Sequence, residues 1–90
     1  MRADRDRVSR LLKTARGQID GILKMVDEDR YCIDIVNQVM AAASILRKVE
    51  SEIFRAHIGS CVQEAFDSGD EGQKKEKIDE IIAVVEKLSR

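Results

Sequence analysis

The chain has 90 residues, no proline, three aromatic residues (Tyr31, Phe54, Phe66) and a formal net charge of −1. That length supports one small domain, 1–90, and its wealth of Ala, Leu, Ile, Val, Glu, Lys and Arg reads as all-α with an aliphatic core. No apolar run nears membrane-spanning length, and no apolar segment follows the charged start (Arg2, Asp4, Arg5, Asp6, Arg7); neither a membrane span nor a signal peptide is expected, and a cytoplasmic protein is.

Val8, Leu11, Leu12, Ala15, Ile19, Ile22, Leu23 and Val26 recur at steps of three and four, predicting a first helix over about 4–27. Gly17 and Gly21 interrupt it at up to about 1 kcal/mol each, a cost that helices accept where backbones approach closely. The cluster Asp27-Glu28-Asp29 ends this helix, with Asp29 the expected N-cap of the next and Asp34 in its first turns. A second stripe runs from Ile33 through Val36, Val39, Met40, Ala43, Leu46, Val49, Ile53, Phe54, Ile58, Val62 and Ala65 to Phe66, weakened only by Gly59. Some 35 residues of helix span about 50 Å, whereas a compact chain of this size is only ~25–30 Å across. One chain cannot cover such a helix, so oligomerisation is expected. Ser68-Gly69-Asp70-Glu71-Gly72 reads as a loop. A third helix follows, with Ile78, Ile81, Ile82, Val85 and Leu88 on one face.

The net charge hides an asymmetry. Residues 1–48 carry ten basic and seven acidic groups, residues 49–90 six and ten. Arg7, Arg10, Lys13 and Arg16 follow a three-residue step along the first helix, and Arg47 and Lys48 add a basic pair on the second. Such charge suits the phosphate backbone of DNA, although a solvated charged face has the same composition. No helix-turn-helix, zinc-finger or ribbon signature is visible. A Cys-His pair can build a nucleophile, but no orienting Asn or Asp stands at readable spacing and no Gly-rich phosphate loop is present, so an enzyme is not expected.

The chain's only two cysteines and only histidine are Cys32, His57 and Cys61. His57 and Cys61, four apart, share one helix face. Cys32 lies 25 residues before His57, roughly 38 Å along one continuous helix. A metal bond spans about 2 Å, so one ion can join all three only if Cys32 comes from a second copy. An antiparallel helix pair places residue 32 of one chain opposite 57–61 of the other, and two-fold symmetry makes two such sites. The Ala41-Ala42-Ala43 run sits near the midpoint of that register, where small side chains permit close approach. A single free cysteine more often packs as a small hydrophobe; the combination is what points to a site. Two thiolates and one imidazole form a soft three-coordinate set that suits Cu(I). Zinc, the second choice, wants a fourth ligand, and nickel or cobalt want nitrogen donors that this chain lacks.

Gly17-Gln18-Ile19-Asp20-Gly21-Ile22, Met25, Asp29-Arg30-Tyr31-Cys32, Gln38, Ala42, His57 and Cys61 together resemble the copper-sensing repressors of the CsoR/RcnR family over nearly the whole chain. The resemblance implies three helices per chain, an antiparallel dimer and a flat tetramer. It also implies repression of copper efflux or detoxification genes until an inducer releases the operator DNA. It assigns the copper ligands to Cys32, His57 and Cys61. Tyr31 and Glu80 (the latter if about three residues are inserted around 69–75) become outer partners that hold the imidazole and link ligation to DNA. Nickel- and cobalt-type members carry extra histidines absent here, and persulfide-sensing members keep the cysteines without the histidine. Two alternatives stand beside the copper switch: a reactive-sulfur sensor that bridges Cys32 to Cys61 of the partner chain, and a non-regulatory copper carrier. Thr14, Arg16 and Asp20 depart from the residues common in the family, so Arg10, Lys13, Arg16, Arg47 and Lys48 are candidates for DNA contact rather than transferred assignments.

Overall fold

A computed structural model of the chain describes residues 1–88, and every regular element among them is helical. Helix α1 (Arg5–Asp27) starts where Asp4, in extended backbone, accepts the N–H groups of Asp6 and Arg7 at 3.0 and 3.1 Å. That contact satisfies two of the four donors a helix start leaves open. The helix stops at Asp29, whose φ of +53° is left-handed. The Asp29 N–H bonds the Val26 carbonyl and the Arg30 N–H bonds the Met25 carbonyl, closing a Schellman turn. Asp29 therefore ends α1 and does not cap α2, as its sequence position had suggested. Aspartate tolerates the left-handed region, and Tyr31 stands at the N-cap of α2 without a side-chain cap.

Helix α2 (Cys32–His57), a π turn (Ile58–Val62) and the short α3 (Gln63–Asp67) form one continuous rod. Ser68 and Gly69 reverse the chain, with Gly69 at φ +72°, a conformation that strongly favours glycine. Asp70 Oδ1 then accepts the N–H groups of Gly72 and Gln73 at 2.8 and 3.2 Å, capping α4 (Glu71–Leu88). Two residues of the expected loop thus belong to the third rod. The chain is three rods: α1, the 32–67 rod and α4.

Helix α1 runs antiparallel to the second rod. Arg2 reaches Glu64 at 3.0 Å and Arg7 reaches Glu52 at 2.9 Å. Between the rods lie Val8 and Ala15 of α1 with Ala42 and Val49 of α2, all buried. Each pair is seven apart, two helical turns, so each helix gives one narrow seam to the contact. Ala42 is thereby committed to α1, and of the alanine run only Ala41 and Ala43 remain half-buried. Gly17 and Gly21 have no neighbour within 4 Å of an added Cβ, so the chain itself makes no use of the close approach they allow.

The fold measures 58 × 28 × 13 Å, with a radius of gyration of 17.8 Å. A compact chain of this length has about 12 Å, and a single helix with its side chains is ~10–12 Å thick. The protein is thus one layer of helices with nothing stacked behind it. Leu23, Val36 and Met40 are 59%, 50% and 61% exposed in consequence. The accessible surface is 6881 Å², against about 5300 Å² for a compact protein of this mass. Among the described residues no helix is long and apolar enough to cross a membrane.

Ala15, 2% exposed at the seam, has no room for a larger side chain. Ala15→Leu should lower stability by about 1–3 kcal/mol through overpacking. The urea midpoint at fixed protein concentration measures it, and an unchanged midpoint would mean that α1 and α2 do not pack along this seam.

Candidate metal centre and basic groove

His57 is the last residue of α2, and Cys61 is half-buried in the π turn that follows. π turns are rare, wider than α turns and concentrated at functional sites. Here Gly59 and Ser60, both weak helix formers, occupy it, and the Ser60 hydroxyl is buried without a partner. The second rod turns its wide segment toward α4. There Glu80 Oε2 lies 3.3 Å from His57 Nε2, and Lys77 Nζ lies 3.4 Å from Glu80 Oε1. An ionised carboxylate only accepts hydrogen bonds. The contact therefore favours the tautomer with its proton on Nε2 and leaves the Nδ1 lone pair free for a ligand.

Cys32 is exposed at the opposite end of α2, beside exposed Tyr31. Twenty-five residues of α2 separate it from His57, roughly 38 Å of helix. Among the described residues no three His, Cys, Asp or Glu side chains of one chain gather as a metal site. Within one chain, then, the structure brings His57, Glu80 and Cys61 to the same end of the rod. Cys32 and Tyr31 stay at the other. Both thiols are free. Helix α4 diverges from α2 beyond this point, leaving an apolar groove of about 600 Å³ lined by Ile53, Phe54, Ile81, Val84 and Leu88, with His57 and Glu80 also on its wall.

A second feature lies between α1 and α2. Arg7, Arg10, Thr14 and Lys48 line a groove of about 290 Å³. Glu52 holds Arg7, whereas Arg10, Lys13, Arg16, Arg47 and Lys48 make no ion pair among the described residues. Of the five sequence candidates, Arg10 and Lys48 come together. Lys13 and Arg16 are exposed on α1. Arg47 lies in a separate groove with Ser51, Phe54 and Arg55. Two further groove residues are Thr14, which in the sequence is only a departure from the family pattern, and Arg55, which is not among the sequence candidates. Thr14 Oγ donates back to the Arg10 carbonyl at 3.0 Å, and Arg55 could have been found from its spacing, two turns beyond Lys48.

The family described as metal-sensitive transcriptional repressor matches residues 4–87. The chain is 35% identical over 86 residues to the copper-sensing transcriptional repressor RicR of Mycobacterium tuberculosis, covering 96% of this chain and 88% of that one. It is 34% identical over 87 residues to the copper-sensing transcriptional repressor CsoR of Bacillus subtilis, covering 97% and 83%. Its fold is similar to the crystal structure of the copper-sensing repressor CsoR with Cu(I) from Geobacillus thermodenitrificans, with a TM-score of 0.85, 32% identity, and 94% and 85% of the two chains covered.

Within the chain α4 is moored at its middle by Glu80 on His57 and near its start by Lys74, whose Nζ lies 5.8 Å from the Phe66 ring centroid. Exposed contacts of this kind contribute up to about 1 kcal/mol. Glu80→Ala should therefore raise amide hydrogen exchange in residues 71–88 about two- to fivefold while α1 and α2 keep their protection. Equal exchange in both proteins would show that Glu80 does not hold α4.

Proposed function

This chain belongs to the family of metal-sensitive transcriptional repressors, and from that membership we propose that it is a Cu(I)-responsive repressor of copper efflux or detoxification genes. Its operator affinity falls when Cu(I) occupies a site built from Cys32 of one chain with His57 and Cys61 of another. The family is one of transcriptional regulators, not enzymes.

The observation that carries the copper reading is the His57–Glu80 contact four residues from Cys61, because it engages Nε2 and leaves Nδ1 for a ligand near a thiol. The donor set fits: two sulfurs and one nitrogen match a soft monovalent ion, and the chain has no second histidine for nickel or cobalt. Bound there, Cu(I) supplies ligation alone, drawing two thiolates and an imidazole into one site. The protein's own part is to hold that imidazole: Glu80 keeps the Nε2 proton in place, with Tyr31 of the chain that supplies Cys32 as a further outer partner. The named relatives and the Cu(I)-bound structural neighbour point the same way. A reactive-sulfur bridge between Cys32 and Cys61 of two chains would need no imidazole, and a simple copper carrier would need no basic groove.

The same reading gives the assembly. Two chains pair with their α2 helices antiparallel, covering the exposed face of the single layer, and two dimers form a flat tetramer. Such a protein works in the cytoplasm on double-stranded operator DNA, with Arg10 and Lys48 on phosphates and Lys13, Arg16 and Arg47 flanking them. By linkage, DNA weakens Cu(I) binding by the factor by which Cu(I) weakens DNA binding.

Titrating Cu(I) into a complex with the upstream region of the protein's own operon tests the switch. Operator affinity should fall by about 5- to 150-fold, from a protein whose mass in solution is four times the 10.2 kDa of one chain. Unchanged affinity with the site full would sink the copper reading; release by an organic persulfide and not by Cu(I) would replace it with sulfur sensing. Cys32→Ala should lose tight Cu(I) binding and keep apo repression. Arg10→Ala and Lys48→Ala should each weaken DNA binding across sequences and reduce the salt slope by about one; slopes equal to wild type would remove these residues from the interface.

A further inference from the structure

Glu80 has two oxygens and two partners. Oε2 meets His57 Nε2 at 3.3 Å, and Oε1 meets Lys77 Nζ at 3.4 Å. Lys77 stands one turn earlier on α4 and is the more enclosed of the two, its side chain 27% exposed against 43% for Glu80. We propose that Lys77 is a positioning residue for the metal centre: by engaging one oxygen of Glu80 it aims the other at His57 and so fixes which imidazole nitrogen faces the ligand. This inference rests on the reading of His57 as a ligand.

Three observations carry it. A glutamate side chain has several rotatable bonds, and ordering it against a single exposed partner costs entropy comparable to what one such contact returns. A second anchor on the other oxygen, from the same helix, restricts that freedom before any ligand arrives. Next, helix stability does not explain the pair. Lysine N-terminal to glutamate is the less favourable order for a helix-surface ion pair, whereas the Glu71–Lys74 pair at 3.1 Å on the same helix has the favourable one. Finally, no other cation shares the task among the described residues. Lys74 is taken up by Glu71 and the Phe66 ring, and neither Lys75 nor Lys87 makes an ion pair.

His57 is the chain's only histidine, so proton–nitrogen NMR of the imidazole reads this site and no other. The spectrum is recorded on the apo protein at about pH 8.5, above the ordinary histidine range. The wild-type ring should be mainly the Nε2–H tautomer. Lys77→Met should move the tautomer ratio about two- to fivefold toward Nδ1–H, the range an exposed ion pair supports. Lys77→Arg, which keeps a cationic donor, should restore it. Far-UV circular dichroism confirms that the variants fold, and Lys77→Gln serves if the methionine variant does not. The loss of operator affinity on adding Cu(I) should shrink in Lys77→Met by about the same two- to fivefold. A wild-type tautomer ratio in the folded Lys77→Met or Lys77→Gln protein overturns the proposal, whatever copper does. A wild-type protein that keeps its DNA in Cu(I) overturns the copper reading instead, and the tautomer ratio still decides the role of Lys77.

Discussion

Helix α2 runs 26 residues without a break, and that rigidity governs everything else in the molecule. It opens with Cys32 and closes with His57, holding them roughly 38 Å apart. No bend brings them together, so a site that uses both is completed by another chain. The same rod is too long for one small chain to wrap. With α1 laid along one edge and α4 hung from the far end, the chain remains 13 Å thick. The fully buried residues of the seam are Val8, Ala15, Ala42 and Val49, and many of the large aliphatic ones face outward. A second rod alongside, running the opposite way as proposed, would bury them and complete the proposed site at once.

The rod also relates the proposed metal centre to the basic groove. Lys48 precedes His57 by nine residues on one helix, about 14 Å of rise. Glu52 lies between them and holds Arg7 of α1 at 2.9 Å. The residues proposed for phosphate and for ligand thus share one stiff element and one ion pair. Past His57 the helix widens into a π turn, and α4 is moored there through Glu80 and Lys77. A ligand taken up at the proposed site would act where the wide turn meets the middle of α4.

The helices were legible because apolar residues recur at helical steps and no proline interrupts them. The same periodicity could not show the π turn, since one turn of wider helix shifts the stripe too little to register among Ile58, Val62 and Ala65. Aspartate suits both an N-cap and a left-handed helix end, so the sequence leaves Asp29 ambiguous, and only the hydrogen bonds of Arg30 and Asp29 distinguish the two. In the sequence Ala42 is indistinguishable from Ala41 and Ala43 as a candidate for contact between copies, whereas the seam with α1 claims it. Arg10 and Lys48 are 38 residues apart, and their meeting follows only from the antiparallel α1–α2 hairpin. Lys77 carried no signal at all, because a lysine on an acidic helix is unremarkable until a carboxylate it touches also touches the lone histidine.

Mixed oligomers test the shared site most directly. One chain carries Cys32→Ala and the other His57→Ala with Cys61→Ala; neither protein alone retains an intact site, whether within a chain or between identical chains. Refolded together, their heterodimers combine Cys32 of one chain with His57 and Cys61 of the other. Tight Cu(I) binding should reappear only in the mixture, at one ion per heterodimer instead of the two that two-fold symmetry gives the wild-type dimer. No recovery in a mixture shown to contain heterodimers, or tight binding by the Cys32→Ala protein alone, would contradict a site built between chains.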